Sequence, residues 1–405
     1  VTVALVPLKY NLRNLTVRWP TTLLTVLVVA IVVACTCVLF GLVDGLMHSN
    51  AVSADPENLI VFSKRADNET SSGFDIATAQ EIANLPGIAL GGPLDAAQAA
   101  AGLPDVDGKP LAAQELIHIP VMQRADGSRV NLTIRGTDAA SPHLRRDFQI
   151  VAGRYFQPGV RQCIVSPAIS RRFAGARVGE TLRVSDKEAY EVVGLFTAAG
   201  GAAESEVWTG IQDLAANINR TGNVSTMRLR GATPADTVRL IDTLSADNRF
   251  ALKPVREPAY YDSQNITLLF LVFLGSLIAV MLTVGALFAA ANTMFAAVKA
   301  RTREIGTMRA LGFGRGSILL SFLLESVLLT ALGGALGAAL SLLASRWSFG
   351  ISDFNSFSER VIQLRLGLIP LAVALGMTLA MGVFGGLFPA IRAVRLDVIK
   401  SLREL

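Results

Sequence analysis

Residues 297–318, AVKARTREIGTMRALGFGRGSI, form a short basic segment between two long apolar runs, too short to be a domain. The segment reads as a helix. It has no proline, Arg301 stands three residues before Glu304, and Ile305, Met308 and Leu311 recur at helical spacing on one side. Gly312 sits where a C-cap glycine belongs, and Ser317 is placed to cap the helix that follows. The segment therefore predicts a rigid amphipathic connector, with exposed cations, between two membrane spans. Two readings stand side by side: a positively charged loop that fixes topology, or a surface built to touch another protein. A loop that only sets topology needs neither an apolar stripe nor the glycine-rich exit Gly312, Gly314, Gly316.

Composition agrees with membrane spans. Of 405 residues only 17% are charged and 51% are hydrophobic, which is the balance of a membrane protein. The formal charge of +5 is spread over segments that flank apolar runs, so it gives no nucleic-acid signal. Cys35 and Cys37 lie inside an apolar run and Cys163 stands alone, so neither a disulfide framework nor a zinc site follows.

In chain order, residues 1–20 carry Lys9, Arg13 and Arg18 with no acid, and Leu8, Leu12, Leu15 and Trp19 at helical spacing. They predict a cytoplasmic amphipathic helix lying on the membrane surface, beside the reading of a basic flank that only orients the next span. Residues 21–45 predict the first span, long enough at ~1.5 Å per residue to cross the hydrocarbon and too long for the core of a signal peptide. Residues 46–262 predict an extracytoplasmic domain. They hold most of the prolines, slightly more acids than bases, and no run able to span. The basic flanks and this weakly acidic domain place both termini and the connector inside, by the positive-inside rule.

The outer domain divides into two nested parts. Residues 46–110 and 223–262 read as an α/β part, with strands at 58–63, 226–230 and 250–255 and helices at 75–84 and 234–248. Residues 111–222 read as an inserted β-rich part, with strands at 117–122, 129–135, 162–165, 180–184 and 190–196. Residues 91–110 and 200–203 read as loose crossings, rich in Gly and Ala.

Residues 263–298 predict the second span. The run 266–298 has no charge and exceeds the bilayer core at ~1.5 Å per residue, so it should tilt or continue beyond the bilayer as a rod. After the connector, 299–316, come the third span at 317–345, an outer loop of mixed charge at 346–365, and the fourth span at 366–391. Gly333, Gly334 and Gly337 supply small residues for close helix packing. Glu325 is the one acid in the third span. It is expected to face protein or water or to sit near the interface, and it reads either as a group for proton or substrate handling or, with no basic residue inside the spans for a relay, as a capping or interhelical hydrogen-bond partner. Pro389 stands where the fourth span should bend or end, and Arg392 and Arg395 open a basic cytoplasmic tail, 392–405.

The pattern R-x-R-E-I-G-x-M-R-A-L-G over Arg301 to Gly312, followed by Leu324-Glu325-Ser326, resembles the permease subunits of MacB/FtsX-type ABC transporters. The run GLFPAIRAVRLDVIKSLR near the C-terminus is similar to the same family's closing signature. Shorter fragments, VAGRYF at 151–156, GETL at 179–182 and VVG at 192–194, resemble its outer domain. The resemblance implies an α-helical membrane protein with four transmembrane helices and a large extracytoplasmic α+β domain, in a bacterial inner membrane. It implies a coupling helix whose Arg301, Arg303, Glu304, Ile305, Gly306, Met308, Arg309, Leu311 and Gly312 meet an ABC ATPase, with ATP and Mg held by that partner and no cofactor on this chain. It further implies a dimer with a second copy or a related permease and, in exporters, a periplasmic adaptor and an outer-membrane channel. ATP hydrolysis would then move the outer domain to export or extract substrate. The alternative is an FtsX-like device that activates an outer hydrolase or sensor without moving cargo. A membrane-anchored binding module without an ATPase is the third reading.

Catalytic signatures are missing from the sequence. There is no GxxxxGK[ST], HExxH or GxSxG. The Gly312, Gly314, Gly316 run follows a helix rather than a strand, which argues against a nucleotide fingerprint. His48, His118 and His143 are scattered. The chain is expected to be no enzyme by itself and to bind neither metal nor nucleic acid.

Overall fold

The structure, a computed structural model, describes residues 19–185, 188–247, 249, 251–352 and 358–395. The helix expected over 1–20 lies outside the described residues apart from its last two, as does the tail beyond Arg395. Two compact units are present. One comprises residues 1–44, 269–347 and 364–405, and the other comprises 45–268 and 348–363.

The first unit is built from four long apolar helices: Trp19–Ser53, Glu257–Ala300, Arg315–Ala344 and Leu368–Val394. The first two run on past the boundary of this unit, so each is longer than the span expected for it. Glu257–Ala300 alone has 44 residues, roughly 66 Å at 1.5 Å per residue. Small residues let these helices meet at backbone distance. A Cβ on Gly337 would fall 2.5 Å from the Ala30 carbonyl oxygen of the first helix, and one on Gly334 would fall 2.7 Å from Thr378 Oγ1 of the fourth. From the fourth helix, a Cβ on Gly386 would stand 2.5 Å from Ser326 Cβ. Polar side chains bridge helices as well. Thr25 and Thr293 hydroxyls lie 2.8 Å apart, and Ser341 Oγ donates to the Ala34 carbonyl at 3.4 Å. The fourth helix does not end at Pro389. It continues to Val394, with Pro389 buried in the packing.

The second unit carries one mixed sheet. Its strands are β1 (Asn58–Ser63), β2 (Ala112–His118), β3 (Thr133–Thr137), β4 (Phe148–Gly153), β5 (Gln162–Val165), β6 (Thr181–Arg183), β7 (Ala189–Ala198), β8 (Glu206–Gly210), β9 (Thr226–Arg230) and β10 (Leu252–Arg256). The order across the sheet is β10-β1-β9-β2-β3-β8-β5-β7-β4, with β6 beside β7. β1 lies between β9 and β10, antiparallel to both, so the two ends of the domain close on each other across more than 160 residues of intervening chain. Helices Ile76–Ala83 and Pro234–Ala246 supply Ala79, Ile82, Leu240 and Leu244 to a core under these strands. A second core, with Leu116, Ile134, Tyr190 and Val207, serves the β-rich insertion. β3 pairs in parallel with β8, and β5 with β7, while the remaining pairs along the sheet are antiparallel.

Local expectations fail where a residue cannot supply a ladder bond or where packing supplies order. The strand expected at 117–122 is interrupted: β2 ends at His118, and Val121–Gln123 pairs separately with Arg129–Asn131, with Pro120, which has no N–H for a ladder, in the gap. Asp75 takes the N-cap position of its helix, yet its side chain accepts no cap bond. The crossing at 91–110 is ordered. Asp95 and Gln98 form a capping box on the short helix Ala96–Ala100, and Leu103 and Val106 are buried beyond it. The turn at 200–203 is also pinned, since Glu204 Oε1 accepts from the Ala198 and Gly200 amides at 2.7 Å each. The expected outer loop at 346–365 holds a hairpin, Ser348–Ser352 with Glu359–Gln363, which belongs to the sheet-bearing unit.

Burial raises the Asp138 carboxyl to about 6 from 3.8, against the backbone bonds it accepts from Gln114 and Ala140. The folded state therefore holds this proton where the unfolded chain has lost it, so stability falls as pH rises from about 4 through 6. The melting temperature of the full chain, followed from pH 5 to 7, should decline more steeply in the wild type than in Asp138→Asn. Equal slopes would assign Asp138 an ordinary titration.

Candidate coupling site

The connector forms the helix Thr302–Ala310. Its exit is a Schellman motif. The Phe313 amide donates to the Met308 carbonyl at 3.1 Å, the Gly312 amide to the Arg309 carbonyl at 3.1 Å, and Gly312 has φ +95°. Glycine suits this position because a Cβ is strained at that angle. The next helix begins two residues before Ser317, with Gly314 at its N-cap, so Ser317 is a buried residue of the first turn and not the cap.

The inward side of the connector is locked. Arg301, at the N-cap position, donates from Nη1 to Glu325 Oε2 at 2.9 Å and from Nη2 to Glu325 Oε1 at 2.8 Å. Both side chains are buried, so this is a bidentate ion pair within the helical unit. Two expectations are corrected by it. Arg301 is not an exposed cation, and Glu325 does have a basic partner, supplied by the connector 24 residues away in sequence. Ile305 is buried with Met294, Val298, Ile318, Phe322 and Ala390, and Met308 packs against the same cluster. Gly306 is buried beside them. Arg309 donates from Nη1 to the Val394 carbonyl at 3.2 Å, tying the connector to the last turn of the fourth helix. On that turn, the Arg392 guanidinium lies 5.8 Å from the centre of the Phe295 ring, and Arg395 is the C-cap residue.

The outward side carries Arg303, Glu304, Thr307 and Leu311. Leu311 departs from the expected stripe. Six residues at about 100° each place it roughly 120° around the helix from Ile305, and it is 75% exposed. The predicted residues thus divide by role. Arg301, Ile305, Gly306, Met308 and Arg309 hold the connector in place, and Arg303, Glu304, Leu311 and Gly312 are presented outward.

A second constellation, in the sheet-bearing unit, carries no motif in the sequence. Arg135 is the hub. Its Nη1 donates to Glu115 at 2.6 Å, its Nη2 to Glu69 at 2.7 Å, and its Nε and Nη2 to the two oxygens of Glu206 at 2.6 Å each. Arg145 donates to the other Glu115 oxygen at 2.7 Å and lies over the Trp208 ring. Arg228 pairs with Glu257, the first residue of the long helix Glu257–Ala300, and Asn58 Nδ2 donates to the same carboxylate at 2.8 Å. Burial would raise the Glu115 carboxyl, but Arg145, Arg135 and Arg228 overcome it and hold it at about 2. The signal available in sequence is charged residues at inward positions of strands, as in the runs LTIRGT and TMRLR.

Four helices able to cross a bilayer and one large α+β head define a polytopic membrane protein with a large extracytoplasmic domain. Comparison with known proteins narrows this further. The MacB-like periplasmic core domain matches residues 22–245, and the FtsX-like permease C-terminal domain matches residues 266–398. The first match exceeds half of the chain, and the chain belongs to the MacB- and FtsX-like family of ABC transporter permeases. A macrolide export ATP-binding/permease protein of Aeromonas hydrophila is 42% identical over 113 residues, 28% of this chain and 16% of that protein. An ABC transporter permease of Bacillus subtilis, YknZ, is 34% identical over 141 residues, 34% of this chain and 32% of its own length. The MacB protein of Bdellovibrio bacteriovorus is 25% identical over 307 residues, 67% of this chain and 44% of that protein. The chain thus spans less than half the length of each of these relatives.

Replacing Arg301 by Met leaves Glu325 buried without its partner. Breaking a buried pair in this way costs about 3–5 kcal/mol, whereas replacing both members by apolar residues is often neutral. Thermal unfolding in detergent should show a large loss for Arg301→Met and recovery of most of it in the Arg301→Met, Glu325→Met double variant. An additive double variant would mean the pair contributes nothing specific.

Proposed function

We propose that this chain is the permease subunit of an ABC transporter, and that it converts ATP hydrolysis by a separate ATPase subunit into motion of its extracytoplasmic head. The observation that carries the reading is the two-sided connector. One side is fixed by a buried ion pair and an apolar cluster, so a push on the other side is delivered to the third and fourth helices rather than absorbed locally. The outward side, with Arg303, Glu304, Thr307 and an exposed Leu311, offers charge and an apolar knob to a partner. Nucleotide and Mg are assigned to the ATPase, since these 405 residues contain no GxxxxGK[ST].

In this reading the connector and both termini face the cytoplasm, two permease chains pair, and each engages one ATPase. Basic flanks and a weakly acidic head support that orientation. Substrate is handled at the outer face, in export or extraction. The names of the two relatives called macrolide export ATP-binding/permease proteins agree with export, and they join both activities in one name.

Charge reversal at Arg301 is a poor test, because it would set two carboxylates against each other inside the packing. The outward residues give a cleaner one. Arg303→Glu with Leu311→Asp should lower ATPase co-purification with the permease at least ten-fold while leaving its melting temperature within a few degrees. Undiminished co-purification would overturn the assignment.

A further inference from the structure

The helix Glu257–Ala300 begins in the head with two tyrosines whose packing explains their rings and not their hydroxyls. Tyr260 and Tyr261 are buried with Ile60, Phe62 and Ala66, and are 8% and 9% exposed. The Tyr260 ring centre lies 5.3 Å from that of Phe62 and 5.3 Å from that of Tyr261. A buried tyrosine usually finds a partner for its O–H. Among the described residues neither hydroxyl has one, and neither is sealed off, because both side chains line a polar cleft. The charges of Glu69, Arg135 and Arg228 act on the Tyr260 hydroxyl, which places it beside the Arg135 network. Gln264, one turn further along the helix, lines the same cleft with a carboxamide that also has no partner among the described residues.

The cleft lies wholly within the sheet-bearing unit, is open to solvent, and has a volume of about 80 Å³. That is room for about five to eight waters, the bulk of one sugar ring. Its charges are already matched. Arg135 commits every N–H of its guanidinium to Glu69, Glu115 and Glu206. Arg228 pairs with Glu257, Arg145 with Glu115, and Arg360 donates to Asn50 Oδ1. An incoming anion would have to take a buried guanidinium from its carboxylate, and an incoming cation the reverse, each breaking a buried pair. What stays available is neutral in its demands: two phenol O–H groups, one carboxamide, and the unused lone pairs of Glu69 and Glu206, since a carboxylate accepts about four hydrogen bonds.

We propose that this cleft binds a saccharide, taking one uncharged sugar unit. Sugar hydroxyls accept from Tyr260 and Tyr261 and donate to Glu69 and Glu206, while Gln264 does either. A hydroxyl is donor and acceptor at once, and a sugar ring holds several in fixed positions, so it satisfies this mixed set where an ion satisfies only one half of it. The tyrosine rings are held in the apolar cluster, so their hydroxyls are presented with little side-chain freedom left to lose on binding. Two sources offer the same chemistry, a soluble glycan and the headgroup of a glycolipid. The site belongs to the head alone, needs no ATPase, and goes beyond the proposed function.

The test uses the full chain in nanodiscs, because a maltoside detergent would itself compete. Saturation-transfer NMR reads binding of glucose and of an N-acetylglucosamine tetramer, and the melting temperature in nanodiscs with and without glucosyl-diacylglycerol reads the lipid source. The double variant Tyr260→Phe, Tyr261→Phe removes two hydroxyls that no protein group uses, so its melting temperature without ligand should stay within a few degrees of the wild type. It should weaken saccharide binding at least ten-fold. A tyrosine-dependent signal from the soluble sugars assigns the site to a glycan, and tyrosine-dependent stabilisation by glucosyl-diacylglycerol alone assigns it to a headgroup. Should the double variant melt much lower, Gln264→Leu decides by the same two readings. No response that depends on these side chains, or a response to sodium phosphate or choline in place of the sugars, overturns the assignment.

Discussion

The bidentate pair between Arg301 and Glu325 is the constraint on which the architecture turns. Each charge would be costly alone among apolar helices, so neither can leave without stranding the other. The pair joins the residue that opens the connector to the middle of a helix that follows it. With Ile305 in the apolar cluster and Arg309 on the Val394 carbonyl, the connector is held at its start, its centre and near its end. An amphipathic helix on a flexible loop can bind a partner without transmitting anything. Fixing it at three points makes this connector part of the packed helical unit.

The head repeats this logic on a larger scale. Arg135 gathers three carboxylates, and Arg228 extends the network to Glu257, where the long second helix begins. Buried ionic networks are poor sources of net stability, but they are selective about geometry, because a misplaced strand leaves charges without partners. Here the network sits where the nested α/β part, the β-rich insertion and the long helix come together. It specifies how they fit more than how tightly they hold.

Much of this was legible in the sequence and some was not, for one physical reason. Signals that repeat locally were readable. Uncharged runs announced four long helices, Gly312 announced the connector's exit, and alternation bounded by glycine and proline fixed Gln162–Val165 and Thr226–Arg230 to the residue. Partners distant in sequence were not readable. Arg135 meets Glu206 across 71 residues, and Arg124 meets Glu359 across 235. No periodicity reports such pairs, so these side chains looked like ordinary solvated charges. Strands Phe148–Gly153 and Glu206–Gly210 were missed because they lack clean alternation. At the connector, Leu311 follows Met308 by three residues as Met308 follows Ile305, but two such steps turn it roughly 120° from Ile305 and out of the packed face.

The nesting of the sheet also sets an order of events at the ribosome. β1 emerges directly after the first helix, yet both of its neighbours, β9 and β10, are synthesised more than 160 residues later. Until then its two edges are open, and unpaired strand edges invite pairing with other chains. The insertion, whose strands β2 to β8 are contiguous in sequence, can assemble while β1 waits. The hairpin Ser348–Ser352 with Glu359–Gln363 follows the third helix, so the head is completed only after that helix has been made. A nascent chain stalled before β9 would carry β1 with both edges unpaired, a form that surveillance proteases and chaperones are equipped to recognise.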